Sequence, residues 1–142
     1  MKFYFSLLIL VILFSSCTSV PDIGIYNQSN VEESDLVSIE FAKNLYLNSI
    51  DGERFKSGLR DAWLTGFKFK IPSGEHLFNI EWVQGMFNHW NNIEMTTTFE
   101  PGKTYKVQEN VKELVLTISI IEVESKSVIQ SATRTFSGIK YF

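Results

Sequence analysis

The sequence predicts a mainly β protein, in which a single antiparallel β-sandwich of about seven strands forms the body of the chain. Apolar residues occupy every second position along at least five segments, which is the period of a half-buried strand. β-branched and aromatic residues dominate these segments, and Asp-Gly or Pro-Gly turns separate them at intervals of roughly 8–12 residues. We therefore expect at most one short helix.

The first 17 residues have the organisation of an export signal. Lys2 supplies a positive start, and the apolar stretch over residues 3–14 is shorter than the about 20 residues of a membrane-spanning helix. The segment that follows, Phe14-Ser15-Ser16-Cys17, resembles the lipobox of bacterial lipoproteins. This resemblance implies that residues 1–16 are a signal peptide and that Cys17 is the lipid attachment site, carrying palmitate or a similar acyl chain.

The residues after Cys17 bear on where the anchored chain lies. Thr18 and Ser19 follow the cysteine, without the Asp that retains lipoproteins at the inner membrane of two-membrane bacteria, so the resemblance implies the outer membrane. Residues 17–34 are polar and contain Pro21 and Gly24, which predicts a lipidated N-terminus and a flexible tether. A first strand over residues 23–26 is the alternative, and the sandwich domain is expected over residues 35–142.

Strand segments follow one another along this body. The alternation is clearest over residues 37–41, 67–71, 78–82, 93–99, 105–107 and 114–121. In the last segment both faces are apolar near Ile120 and Ile121, which is typical of a strand with neighbours on both sides. We expect Leu116 and Ile118 to be buried there.

Turn residues separate the predicted strands. Asp51-Gly52 predicts a two-residue hairpin turn, because both residue types tolerate positive φ. Pro72-Ser73-Gly74 and Pro101-Gly102 predict turns between further strands. Residues 51–65 are compatible with one short helical turn or with a long loop, and residues 84–92 predict a second long loop.

Three of these turn regions occur in an order that is known from other proteins. They read LNSIDG over residues 47–52, IPSGEH over residues 71–76 and FEPGKTY over residues 99–105. Together they resemble the DUF2846/PEGA-like group of small bacterial envelope modules, which is related in shape to carboxypeptidase-regulatory-like domains. The resemblance implies a transthyretin-like or immunoglobulin-like sandwich, a lipoprotein in many cases, and no catalytic residues.

His76, directly after the second of these turns, has two interpretations. It is a candidate metal ligand or general base, with His89 and either Glu75 or Glu94 as the other ligands. Alternatively, its ring packs at the end of the sheet and bonds to nearby backbone. We expect the second role, because two histidines leave little for a metal site.

The segment WVQGMFNHW over residues 82–90 is the candidate contact surface. Aromatic side chains near asparagines can stack on a sugar ring and bond its hydroxyl groups, and they are also enriched at protein interfaces. Packing of the same rings onto the sandwich core is the third option. The residues expected to contact a ligand or partner are Trp82, Phe87, His89 and Trp90.

Composition limits the functions that remain. The 13 basic residues against 16 acidic residues give a net charge of −3, which gives no reason to expect a basic surface that binds nucleic acid. One cysteine allows no intramolecular disulfide, and the sequence has neither a phosphate-binding glycine loop nor a nucleophile elbow. We therefore expect a non-enzymatic binding or scaffolding lipoprotein of the cell envelope without cofactor or metal, whose partner is an envelope protein or glycan. The alternative is a carbohydrate- or small-ligand-binding subunit, or an enzyme, that uses the 82–92 loop.

Overall fold

The computed structural model describes residues 20–26, 30–56, 62–84 and 88–135, with the backbone alone for residues 25, 62–63, 84 and 88–91. A 3-10 turn covers Glu33–Asp35, and one four-residue helix, α1, covers Ala62–Thr65. The strands are β1 (Asp22–Ile25), β2 (Leu36–Phe41), β3 (Leu45–Ile50), β4 (Glu53–Arg54), β5 (Phe67–Pro72), β6 (Gly74–Gln84), β7 (Asn88–Phe99), β8 (Thr104–Lys112), β9 (Val115–Glu122) and β10 (Val128–Thr135). The mainly β prediction is confirmed.

The strands form two sheets. Sheet A has six strands in the order β1-β5-β2-β8-β9-β10, and sheet B has four in the order β4-β3-β6-β7. Two features differ from the prediction: the described residues form ten strands instead of about seven, and the pairs β1–β5 and β2–β8 are parallel. Short edge strands account for part of the excess, because β1 and β4 have only four and two residues and show little periodicity. Parallel neighbours are not joined by a tight turn, so no turn residues in the sequence indicate that the two strands pair.

The predicted hairpin turn at Asp51-Gly52 is present between β3 and β4. Asp51 has a φ of 53° and Gly52 a φ of 82°, which is the pair of positive values that a type I′ turn requires. The first strand that was the alternative to a flexible tether is also present, as β1. Pro21, the residue before β1, is bound to β5 as well, because its carbonyl accepts a hydrogen bond from the backbone N–H of Lys68 at 2.9 Å.

The prediction of a long loop over residues 84–92 is wrong. β6 continues to Gln84 and β7 begins at Asn88, so the segment is the end of a long antiparallel hairpin. The register shifts between Ile80 and Trp82, which marks a β-bulge. Such an irregularity breaks the two-residue alternation, and the asparagines of the segment have low strand propensity. These two features explain why the sequence predicted a loop there.

One hydrophobic core lies between the two sheets. Phe41 on β2 stacks on Phe67 at 5.0 Å within sheet A and meets Phe78 of sheet B at 6.1 Å. Gly66 makes a close approach beside them, because a Cβ at this position would lie 2.5 Å from the Phe41 carbonyl oxygen. β9 lies between β8 and β10, and Leu116 and Ile118 are buried on it, as predicted.

Side-chain hydrogen bonds to backbone close both sides of the sandwich. On one side the Tyr26 hydroxyl, just after β1, donates to the Arg54 carbonyl of β4 at 3.0 Å. On the other side two β10 side chains donate to β7 carbonyls: Gln130 to Thr96 at 3.3 Å and Arg134 to Asn92 at 2.9 Å. The outer edges of sheet B are therefore covered by sheet A.

Strand directions define two ends of the sandwich. The upper end carries the β3–β4, β5–β6, β7–β8 and β9–β10 turns together with the 3-10 turn before β2. The lower end carries the chain entry into β1, the β2–β3 link, α1, the end of β6 with the start of β7, and the β8–β9 turn. These names are kept below.

Candidate functional site

Three turns with distinct sequences meet at the upper end. Asp51 lies in the β3–β4 turn, His76 follows the β5–β6 turn, and Phe99 precedes the β7–β8 turn. The His76 ring lies 6.3 Å from the Phe99 ring, which lies 4.9 Å from the Tyr105 ring. The backbone N–H of Glu100 donates to the Tyr105 hydroxyl at 3.0 Å. The three turn sequences that carry the family resemblance are thus joined in space.

Asp51 attaches the β3–β4 turn to β6. Its Oδ1 accepts a hydrogen bond from the backbone N–H of Leu77 at 2.8 Å, and its own N–H donates to the Leu77 carbonyl at 2.8 Å. Its Oδ2 lies 2.7 Å from Nδ1 of His76. The left-handed φ of Asp51 makes this possible, because the turn directs both backbone and carboxylate at the neighbouring strand.

The His76 ring has an acceptor at each nitrogen. Nδ1 faces the Asp51 carboxylate, and Nε2 lies 2.9 Å from the carbonyl oxygen of Pro72. The ring therefore links the β3–β4 turn, which carries Asp51, to Pro72 at the β5–β6 turn. The side chain is 14% exposed. In this arrangement both ring nitrogens are engaged by groups of the fold itself.

A cleft of about 310 Å³ opens beside the Asp51–His76 pair, on the side closed by the Tyr26–Arg54 hydrogen bond. Both sheets contribute to its walls. The residues that line it are Tyr26, Ile50, Asp51, Glu53, Ile71, Pro72 and His76. We call this feature the upper cleft.

Tyr26 forms one wall of the upper cleft. Its ring packs on Phe55 at 4.8 Å and meets Phe69 at 6.4 Å, so an apolar surface fixes its position. Burial, followed by the charge of Glu53, raises the pKa of the Tyr26 phenol above its ordinary value. The phenol therefore stays protonated and continues to donate to Arg54 throughout the physiological range.

The polar groups of the upper cleft suit binding. Asp51 presents a carboxylate that is 48% exposed, and Glu53 is exposed on the next strand. Within the described ranges, no three His, Cys, Asp or Glu side chains gather closely enough to hold a metal ion. The cleft can therefore accept a polar or cationic group through its carboxylates.

A comparison with known proteins gives no match among family models, curated proteins or solved structures. The geometry of the sandwich therefore carries the functional argument on its own.

The segment predicted to contact a ligand is placed only in part. Trp82 is buried on β6, with 6% of its surface exposed, and belongs to the shared core. His89 and Trp90 lie on β7, where Trp90 is the register partner of Trp82, but their side chains are outside the description. Phe87 lies outside the described residues altogether. Contact between these residues and a ligand stays a prediction.

The proposed anchor also lies outside the described residues, because the description begins at residue 20, after Cys17. Among the helices that the structure does describe, none has the length and apolar character needed to cross a bilayer.

Sequence reasoning identified His76 as a residue at the end of a sheet but missed its neighbours in the upper cleft. Tyr26 follows β1 and Glu53 lies on β4, and no local signal in the sequence indicates that these two segments meet. Asp51 was assigned only the role of a turn residue. The sequence did contain one signal for the Asp51–His76 contact. An Asp-Gly turn and a histidine that follows a later turn would both lie at the same end of a sandwich.

Proposed function

We propose that this chain is a lipoprotein of the bacterial cell envelope, acylated at Cys17 after removal of residues 1–16. In this proposal its sandwich is a non-enzymatic binding or scaffolding module, and the outer membrane is its location. The Phe14-Ser15-Ser16-Cys17 sequence supports the anchor.

One observation carries the non-enzymatic role. Both ring nitrogens of His76 lie within hydrogen-bond distance of the fold's own groups, Asp51 and the Pro72 carbonyl, so the one described histidine side chain serves to hold the turns together. The polar groups that the three turns bring together bond to one another and stabilise the upper end. The carboxylates of Asp51, which is 48% exposed, and of Glu53 give the upper cleft an acidic surface for a partner.

The same turns support a finer assignment of the fold. We propose that the sandwich is of the transthyretin- or immunoglobulin-like kind found in DUF2846/PEGA-like modules. The Asp51–His76 and His76–Phe99 contacts support it, because they join the three turn sequences on which that resemblance rests. The burial of Trp82 favours this binding module over a sugar platform on residues 82–92, which would need that ring exposed.

Acylation is tested with Cys17→Ser in the full chain. We expect the parent protein to partition into the detergent phase and to incorporate labelled palmitate, and the variant to do neither. Thr18→Ala, one residue later, is the matched control and should behave like the parent. Partitioning that is the same for Cys17→Ser and for the parent would contradict the lipid anchor.

The binding surface is tested by photo-crosslinking in intact cells. A photoreactive phenylalanine analogue replaces Glu53 in the upper cleft or, as the control, Glu94 on the outer face of sheet B, because both positions are exposed. We expect a discrete adduct from position 53 and none from position 94. Equal adducts from both positions, or none from either, would contradict a partner at the upper cleft.

A further inference from the structure

We propose that the lower end of the sandwich rests on the bilayer surface, with the β8–β9 turn and α1 in contact with lipid headgroups. This inference rests on the proposed acylation of Cys17. It adds a defined orientation, in which the upper cleft points away from the membrane and is presented to the envelope space.

The length of chain before β1 sets the first constraint. Four residue steps separate Cys17 from Pro21, and an extended chain spans about 3.3–3.6 Å per residue, so the two Cα atoms lie at most about 14 Å apart. Pro21 is already fixed by its hydrogen bond to Lys68 at the lower end of β5. A lipid on Cys17 therefore holds this end of the sandwich near the headgroups.

The β8–β9 hairpin sets the second constraint. Phe41 at the end of β2 is level with Val107 of β8, and β8 continues for five more residues to Lys112. Five residues of strand extend about 17 Å, which equals or exceeds the longest span of the connection to Cys17. The tip of this hairpin must therefore reach the headgroup region when the strands stand upright on the membrane.

Exposed apolar side chains occur at both ends and do not decide the orientation alone. The lower end exposes Leu64, Val111 and Leu114, and the upper end exposes Val123, Val128 and Ile129. Leu64 lies on α1 and Leu114 on the β8–β9 turn, so each can enter the interface without disturbing a strand.

Charge separates the two ends. Among described residues, the exposed charged side chains on the lower turns and near the lower strand ends are Lys43, Lys68, Lys112 and Arg134 against Asp22 and Glu113. The upper turns and adjoining strand ends expose two basic residues, Arg54 and Lys126, against the acidic Glu32, Glu33, Asp35, Asp51, Glu53, Glu75, Glu100 and Glu124. Anionic headgroups attract the lower end and repel the upper end, so charge and chain entry select the same orientation.

A matched pair of cysteine variants tests this orientation. Leu114 and Val123 flank β9 at opposite ends and are 45% and 43% exposed, so Leu114→Cys and Val123→Cys each offer one label site outside the core. The full-length acylated protein is labelled with an environment-sensitive fluorophore and placed in vesicles of phosphatidylethanolamine and phosphatidylglycerol that contain a nitroxide-labelled lipid. We expect quenching and a blue shift for the label at position 114 and neither for the label at position 123.

The parent chain separates failure of this inference from failure of the proposed function. If Cys17 is acylated, the parent has no thiol and takes up no label; uptake of one label would overturn the acylation and the orientation that rests on it. If the parent takes up no label and the two positions are quenched equally, the anchor stands and the orientation is wrong.

A charge reversal tests the attraction to lipid. Lys43→Glu with Lys112→Glu is introduced into the Leu114→Cys protein, and Lys126→Glu is the control at the upper end. Each lysine near an anionic surface contributes about fivefold to binding, so losing both attractions should lower the ratio of docked to undocked protein at least about 25-fold. Quenching that survives the double reversal, or falls equally in the control, would overturn the role assigned to these lysines.

Discussion

Oδ2 of Asp51 lies 2.7 Å from Nδ1 of His76, and this contact joins the first turn of the upper end to the start of β6. The two residues are 25 positions apart in the chain. Since β3 and β6 are also paired directly, the contact extends an existing ladder beyond its last residue pair, Ile50 and Phe78. It holds the wall of the upper cleft where the carboxylates of Asp51 and Glu53 are presented.

Asp51→Asn should weaken the upper end without unfolding the protein. The variant keeps an oxygen for the Leu77 N–H but loses the charge opposite the His76 ring. A hydrogen bond to a charged group contributes about 1.5–3 kcal/mol when buried, and the half-exposed carboxylate reduces this to about 1 kcal/mol. Equilibrium urea unfolding measures the loss. Glu75→Gln, an exposed carboxylate beside His76, is the control and should leave the midpoint unchanged.

Leu116→Ala and Ile118→Ala should each be strongly destabilising. Both side chains are at most 1% exposed on β9, so truncation leaves a cavity that costs roughly 2–5 kcal/mol. Lys68→Ala removes an exposed ion pair with Asp22 at 3.4 Å and should cost at most about 0.5 kcal/mol. Urea midpoints of the three variants decide the matter; a midpoint for Leu116→Ala equal to that of the parent would show that β9 is not part of the core.

Gln130→Ala with Arg134→Ala should open the edge of β7. These side chains occupy the carbonyls of Thr96 and Asn92, and without them the edge of sheet B can pair with another chain. We expect soluble protein that forms dimers and larger species, detected by size-exclusion chromatography with light scattering. Thr133→Ala lies on the same strand and is exposed, so it should remain monomeric to the same extent as the parent. A monomeric double variant would show that the edge is protected by other means.

Local signals were enough to predict the β class, the Asp51-Gly52 turn and the burial of Leu116 and Ile118. Each of these follows from residue type and from the two-residue period over a few positions. The number of strands could not be predicted, because β4 has only two residues and β1 is a short edge strand whose partner, β5, lies far away in the chain. The bulge near Ile80 explains why the end of β6 was predicted to be a loop. At a bulge two residues of one strand lie opposite one residue of its partner, so the apolar alternation is interrupted.

The upper cleft was beyond sequence reasoning because its walls come from both sheets. His76 was expected to bond nearby backbone, and it does so at the Pro72 carbonyl. Its second partner, Asp51, depends on the register between β3 and β6, which a single sequence does not fix. Tyr26 was assigned either to a tether or to a first strand, and only the β1–β5 pairing brings its ring against Phe55.

The interaction between Glu122 and Lys103 should make the free energy of unfolding depend on pH in the acid range. Hydrogen bonds from the Lys103 ammonium, at 3.1 Å, and then from Ser125 lower the pKa of the Glu122 carboxyl below its ordinary value of 4.5. A group whose pKa is lower in the folded state stabilises the protein above its unfolded pKa, and this contribution is lost as pH falls through the folded pKa. Lys103 is bound to Glu100 and Glu122, which raise its pKa, so its own contribution is lost only in strong alkali.

Glu122→Gln should therefore lower the free energy of unfolding at neutral pH, and the difference from the parent should shrink as the pH falls below about 4.5. Urea unfolding at a series of pH values from neutral to about 3 measures this difference. Glu124→Gln changes an exposed carboxylate in the same β9–β10 turn and should follow the parent at every pH. A constant difference between Glu122→Gln and the parent across the acid range would contradict a titrating interaction. The Ser125 hydrogen bond could not account for such a difference either, because a glutamine oxygen accepts that bond at any pH.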